Sequence, residues 1–593
     1  MAGNQGEGAI LAKRAVLAAI GALAGAAYWY LSEELPLRLA DPQAYLAVTA
    51  AAFGFFAALM ALTGPLRLRV ALPVALVAAA PPAALLTWAS TRYSTLAELF
   101  ARPEPVVAYL IVLALPLPYL IAALRPGTSW RDYPTLFGES WSIVMRLAAS
   151  ALFAGIVWIA VFLADELLRL VGIDVIERLL EEDWLPPTFT GLVAGLALAI
   201  VNEMRDLISA GLVLRLLRIL IPPALLVVGA FTLAIPVQGL ARLFGTLSPA
   251  TTLLAIALVL ALLVSTGVDA DDEAAPRSGL VRLATRGLAL LLPAVALLAL
   301  EALRQRYEAE GLSPARIGGA LAGAVLLLYG VFYALSALTG ARWMARIRAV
   351  NGLMALLVIL VAGLWLTPAL DAERLSAEDQ LARFEAGRIR AGEIDLWTLQ
   401  HDWGRAGRRA LRRIEVQAGD HPEAELLSEH IALARQAPDR LAFWNVPRDP
   451  AALSARAELK EMMPVMPPEA AGQFDRYVLP WYAGSMASFL EGCRDRTDTG
   501  RPGCVLVVHD LVPDNPGNEA ILFYKSFGLL RGEVIVPEPV FRRADAAEVF
   551  SIPPPDFDET DRLIEQLQDG GFTAGPARVN AITIGERQFT VPF

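Results

Sequence analysis

The sequence predicts a membrane all-α helical bundle of about eleven transmembrane helices, followed by a soluble C-terminal part that is first α-helical and then α+β. Three observations carry that prediction. Of 593 residues, 56% are hydrophobic and the mean hydropathy is +0.50, an apolar content foreign to a soluble chain of this length. Apolar runs of about 18 residues or more, each able to cross a bilayer, recur as far as Thr367. Past Thr367 the composition turns abruptly charged. The implied domains are residues 1–369, a transmembrane bundle; 370–437, a charged helical segment; and 438–593, an α+β soluble domain.

The spans fall near residues 15–31, 44–63, 70–88, 105–124, 143–163, 188–201, 216–236, 249–266, 280–300, 317–338 and 350–367. The sixth is short before it meets NEMRD (202–206), and the seventh carries Pro222-Pro223, which should kink it. The first run lacks a small-residue cleavage site and is followed by further spans, so it reads as an anchor. Arginine and lysine favour the loops that are internal when the N-terminus is cytoplasmic, although Arg304 and Arg306 run against the bias. An odd number of spans then places the C-terminal domain outside. The expected location is the inner membrane, multi-pass, with a periplasmic C-terminal domain. Residues 164–187, with acids interleaved among apolar residues, read either as an amphipathic surface helix or as an extension of span five followed by a loop.

Composition excludes several function classes. The net charge of −10 argues against a nucleic-acid partner. Lysine occurs only at Lys13, Lys460 and Lys525, none after a glycine, so there is no phosphate-binding Gly-Lys-Ser/Thr loop. His401, His421, His430 and His509 all follow the apolar region, which therefore has no histidine for haem, zinc or a proton relay.

In the C-terminal part, strands are expected at 504–509, 520–524, 534–536 and 581–584, with a helix over DETDRLIEQLQDGG (558–571).

Three stretches resemble a known family. YPTLFGESWSIVMRLAASALFAGIVWIAVFLADELLRLVGI (133–173), ALEALRQRYEAEGLSPARIGGALAGAVLLLYGVFYAL (299–335), and the charged segment from LDAERLSAEDQLARFEAGRI to DLWTLQHDWGRAGRRALRRI, ending at Ile414, are similar to the bacterial polytopic membrane proteins grouped as domain of unknown function 4153. The resemblance covers roughly the middle half of the chain. It implies a membrane location and a helical bundle, and it brings no activity and no catalytic residues.

Four constellations could carry chemistry. HDLVPDNPGNEAILFY (509–524) supplies Asp510, Asp514, Asn515, Asn518 and Glu519 around Gly517, oxygen ligands of the kind calcium takes, although the spacing is not that of an EF-hand. A polar hairpin turn uses the same residue types. Cys493 and Cys504, in CRDRTDTGRPGC, are expected to form a disulfide in an oxidising compartment. Asp165, Glu166 and Glu203 are polar candidates at the membrane, all at span ends where headgroups and water solvate them. Gly21-x3-Gly25, Gly191-x3-Gly195 and Gly319-x3-Gly323 fit close helix packing.

No nucleophile elbow, His-Glu-x-x-His or Cys-x-x-Cys motif is present, so the enzyme reading stays open but disfavoured; it needs outer-face carboxylates near a groove, and Asp165, Glu166 and Asp174 are its candidates. The expected function is an envelope scaffold or sensor with an outward-facing domain, whose partners are the lipid bilayer and envelope proteins. No cofactor is expected, calcium at the 509–524 loop being the one candidate. The alternative is a secondary transporter with a soluble accessory domain, which proline-broken helices would suit.

Overall fold

In lipid, every backbone group must be paired within its own segment, so each apolar run closes into a helix. The computed structural model describes residues 2–203, 211–238, 248–419, 421–437, 440, 443, 450–474, 477, 483–510, 518–535, 557–573, 581–584 and 587–590. Among these residues ten helices are long and apolar enough to cross a membrane, or eleven if one bent pair counts as a span. In order they are α1 (Ala2–Trp29), α2 (Pro42–Leu62), α3 (Leu68–Ser90), α4 (Pro103–Leu124), α5 (Tyr133–Leu170) and α6 (Leu185–Glu203). The bent pair follows as α7 (Gly211–Ile219) and α8 (Ile221–Gln238). Then come α9 (Pro249–Val268), α10 (Gly279–Glu310), α11 (Pro314–Leu338) and α12 (Trp343–Trp365).

The helices begin where their sequences cap them. Asp41 accepts from Gln43 N at the start of α2, Asp132 from Thr135 N at the start of α5, and Ser313 from Arg316 N at the start of α11. The kink expected at Pro222-Pro223 falls at the α7–α8 junction, where the two segments bend by 41°. The prolines sit in the first turn of α8, where a missing N–H costs least. By contrast, α3 continues unbroken through Pro81 and Pro82.

The chain forms two compact units, Met1–Gln380 with Trp403–Gly407, and Leu381–Asp402 with Arg408–Phe593. Within the first, two glycine pairs mate. A Cβ at Gly21 would lie 2.0 Å from Gly191 O, and one at Gly195 would lie 2.2 Å from Leu17 O. The small residues thus let α1 and α6 approach backbone to backbone, antiparallel. One apolar core lies among α2, α3 and α4, with Trp365 of α12; another joins α8 to α12. The structure takes part of each reading of residues 164–187: α5 runs on to Leu170, and a short helix (Val175–Leu180) with no buried residue follows in place of a loop.

The second unit holds α14 (Gly404–Ala418) from Arg408 onward, after α13 (Ala372–Glu385), which straddles the boundary. It continues with α15 (Ala424–Gln436), α16 (Pro450–Met462), α17 (Ala483–Arg494) and α18 (Phe557–Gln568). Its four-stranded sheet has the order β1 (Val465–Met466), β2 (Cys504–His509), β3 (Glu519–Ser526), β4 (Leu529–Ile535), the first pair parallel and the rest antiparallel. A separate ladder pairs β5 (Ala581–Ile584) with β6 (Arg587–Thr590). Strand β2 is buried at every position but its last, the pattern of a strand covered on both faces. Cys493 and Cys504 are joined, with Cα atoms 4.7 Å apart, tying the end of α17 to the start of β2.

Candidate functional site

The helices of the first unit end on carbonyls with no intrahelical partner, and in a bilayer these need donors. Arginines supply them. From α5, the Arg146 guanidinium donates to Ala61 O at 2.9 Å and Thr63 O at 2.8 Å, closing the end of α2, and to Asn202 Oδ1 at 3.1 Å. From α12, Arg348 donates to Val268 O at 2.6 Å and Asp269 O at 3.1 Å, closing α9, and to Asp272 Oδ1 at 2.7 Å. Arg218 reaches Thr266 O on the same helix end and pairs with Asp269. Arg286 donates to Ala337 O at 2.6 Å, at the end of α11. Arg92, beyond α3, donates to Trp365 O at 2.8 Å and Thr367 O at 2.6 Å, closing α12.

Each guanidinium offers five donors and a positive charge to the negative end of a helix dipole. Arg146 is the fourteenth residue of α5, because that helix starts at Tyr133; it lies level with the ends of α2 and α6, and only 3% of its surface is exposed.

The ends so closed frame a cavity of about 870 Å³ lined by α4, α9, α11 and α12. Along α9 it reaches from Thr251 to Ser265, and along α12 from Trp365 to Asn351. Fourteen residues of helix make it about 21 Å long. Leu254, Leu258, Leu321, Val325, Val358 and their neighbours give it an apolar wall, and among the described residues Glu104 is the one charged residue on it. Leu258, Leu262 and Val107 are also exposed at the bundle surface, so the cavity opens sideways.

Its ends are polar. At one, Asn351 donates to Tyr133 Oη at 2.8 Å and Ser265 Oγ at 3.2 Å and accepts from Tyr333 Oη. At the other stand Glu104 and Thr251 with Trp365, which is 6% exposed and whose indole Nε1 is buried without a hydrogen-bond acceptor. A buried donor left unmade costs about 1–3 kcal/mol. Just past this end, Tyr93 donates to Glu373, which also lies 3.5 Å from Arg92. Burial, reinforced by the Glu373 carboxylate, holds the Tyr93 phenol well above its ordinary range and therefore neutral.

The residues singled out in the sequence lie elsewhere. Glu203 is held by Arg14 at 2.5 Å, a tie between the end of α6 and the middle of α1. Glu166 is exposed with Arg169 at 4.0 Å, Asp165 has one buried oxygen without a partner, and Asp174 pairs with Arg178 at 2.7 Å. None of these acids lines the cavity. In the 509–524 loop, Asp514 and Asn515 lie outside the described residues. Of the rest, Asp510 and Asn518 are exposed, whereas Glu519 is fully buried at the start of β3, across from His509. The carbonyl of Asn518 accepts from Tyr477 Oη at 3.0 Å, an ordinary way to fix a hairpin end. Among the described residues no group of three or more His, Cys, Asp or Glu could hold a metal ion.

Sequence reasoning passed over Tyr333, Ser265 and Trp365. The signal it could have used is a Ser, Tyr or Asn one turn inside a span next to an arginine. The cavity wall gave none, since its leucines and valines read the same as core. No family model, no curated protein and no solved structure matches the chain.

Proposed function

We propose that this multi-pass membrane protein sits in the inner membrane, holds a lipid-like molecule within its bundle, and carries its C-terminal domain on the periplasmic side as an envelope sensor or scaffold. The cavity carries this reading. A long apolar wall favours a hydrocarbon body, and a buried indole N–H at one end suits an ester or phosphate oxygen.

Parity of the side-chain ties supports eleven crossings. Arg14–Glu203, Arg146–Thr63, Asn351–Tyr133, Asn351–Ser265 and Arg218–Asp269 gather one set of helix ends on one face. Pro249, at the other end of α9, then belongs to the opposite face, so the chain from Arg218 to Pro249 must cross. The 18 residues of α8, about 27 Å long, suffice. With eleven crossings α12 ends opposite the N-terminus. Buried Arg146 and Arg348, with half-buried Arg286, add positive charge to the N-terminal face, which supports calling it cytoplasmic. The resemblance to domain of unknown function 4153 agrees with the membrane location and adds no activity.

A second reading, transport of a lipophilic substrate, draws on the cavity's reach between two polar ends. It does not favour ion coupling, because among the described residues the wall holds only Glu104 as a charged group. Native mass spectrometry of protein released from its own membranes tests the first reading. Wild type should carry a bound lipid mass that Ala255→Phe with Ala322→Phe removes, since both alanines line the cavity from exposed positions. Equal lipid loads on both proteins would overturn it. Movement of a lipid across vesicles, blocked by the same variants, would move the conclusion to transport.

A further inference from the structure

Helix α14 reads GRAGRRALRRIEVQA, with Leu411, Ile414 and Ala418 buried along one side. Its opposite side carries Arg405, Arg409, Arg412 and Arg413, all exposed, and Val416, which is 83% exposed. Positions 405, 409, 412 and 416 are spaced by four, three and four residues, so they share one stripe of the helix. None of these four arginine side chains hydrogen-bonds or forms an ion pair among the described residues. The acid nearest Arg412 in sequence, Glu415, is already occupied by Arg435 through bonds of 2.8 and 2.6 Å.

The start of this helix is fixed at the edge of the bundle. Arg405 N donates to Arg92 O at 2.9 Å, and a Cβ at Gly404 would lie 2.6 Å from that same carbonyl. Gly404, at φ +52°, can take this left-handed backbone and close approach, where a side chain would not fit. Arg92 in turn closes the end of α12 through Trp365 O and Thr367 O. The first turn of α14, as far as Gly407, therefore belongs to the first unit, beside the residues that end α12, and Arg409, Arg412 and Arg413 follow it in the same helix.

We propose that this arginine stripe binds the anionic phospholipid headgroups of the bilayer that holds the bundle, with Val416 entering the headgroup layer. Charge complementarity selects the occupant: planar guanidinia pair bidentately with phosphate oxygens, and an exposed valine in the same stripe suits a lipid interface better than water. Each arginine near an anionic surface contributes about a fivefold factor, so three give about two orders of magnitude in local binding. The inference rests on the membrane reading of the bundle and is independent of what fills the cavity.

The test is site-directed spin labelling of the full chain. Val416→Cys is labelled with a nitroxide, the two native cysteines being paired, and reconstituted in vesicles of phosphatidylcholine alone or with about one-third phosphatidylglycerol. The proposal expects the label to lose several-fold accessibility to a water-soluble relaxer in the anionic vesicles. It expects about 0.5 M salt to restore that accessibility, because surface charge is then screened. Arg409→Gln with Arg412→Gln and Arg413→Gln should leave the label aqueous in both vesicles, and the three lysine replacements should recover most of the effect. An aqueous label in both lipids, or one shielded equally in both and indifferent to salt and to the glutamine changes, would overturn it.

Discussion

Replacing Arg348 by methionine removes a guanidinium and keeps an apolar stem of similar reach. The carbonyls of Val268 and Asp269, both in buried residues, then lose their donors. Two buried acceptors left unmade cost about 1–3 kcal/mol each, and the lost charge at the end of α9 adds about 0.3–1 kcal/mol. The pair with Asp272 adds little, because that carboxylate is 75% exposed. The expected destabilisation is therefore about 2–7 kcal/mol. Arg348→Lys, which keeps one charged donor group without the fork, should lose about half of that. Arg342→Met, at an exposed position on the same helix end, should stay within about 0.5 kcal/mol of wild type. Equilibrium unfolding in mixed micelles with rising SDS, followed by tryptophan fluorescence, gives the three values. A loss below about 1 kcal/mol for Arg348→Met, level with the Arg342 control, would refute the argument that arginines close these helix ends.

Further outcomes follow from the same structure. Cys493→Ala with Cys504→Ala should destabilise the second unit by about 3 kcal/mol in the chain-entropy model, seen as a lower melting temperature that reductant reproduces in wild type. Phe527, 95% exposed at φ +55° in the β3–β4 turn, holds a conformation that favours glycine or asparagine, so Phe527→Gly should raise stability by about 1–2 kcal/mol in chemical denaturation. The Arg435 hydrogen bonds hold the Glu415 carboxyl below its ordinary range, so this pair stabilises the fold above the unfolded carboxyl pKa and ceases to as pH falls through the lowered folded value. Arg435→Gln should flatten that part of the acid limb of a stability–pH profile. A C-terminal alkaline phosphatase fusion should be active in cells and a fluorescent-protein fusion dark, as a periplasmic end requires; the reverse pattern would place the C-terminal domain in the cytoplasm.

The membrane class was legible because hydropathy is summed over long runs, and Pro222-Pro223 marked the α7–α8 bend for the same local reason. Strand β2 was legible from CVLVVH, an apolar run bounded by turn residues. Strand β1 was not, since two residues in PVMPP take their strand state from the partner Leu506–Val507. The start of α5 was placed ten residues late because Glu139 interrupts its apolar pattern, and Arg146 fell inside the expected span 143–163. Both are buried, Glu139 with Arg125 at 3.4 Å and Arg146 on the α2 carbonyls. Those partners lie up to 85 residues away in the chain, where no local pattern reaches. The cavity was illegible for a like reason: what separates its wall from a filled core is the distance between helices, which sequence periodicity does not record.

The most direct measurement is a cryo-electron-microscopy map of the full chain in nanodiscs made from its native lipids. The account predicts a continuous chain-shaped density between α9, α11 and α12, with a head density within hydrogen-bonding reach of Trp365 Nε1. A cavity closed by its own side chains, or one holding only ordered water, would contradict it.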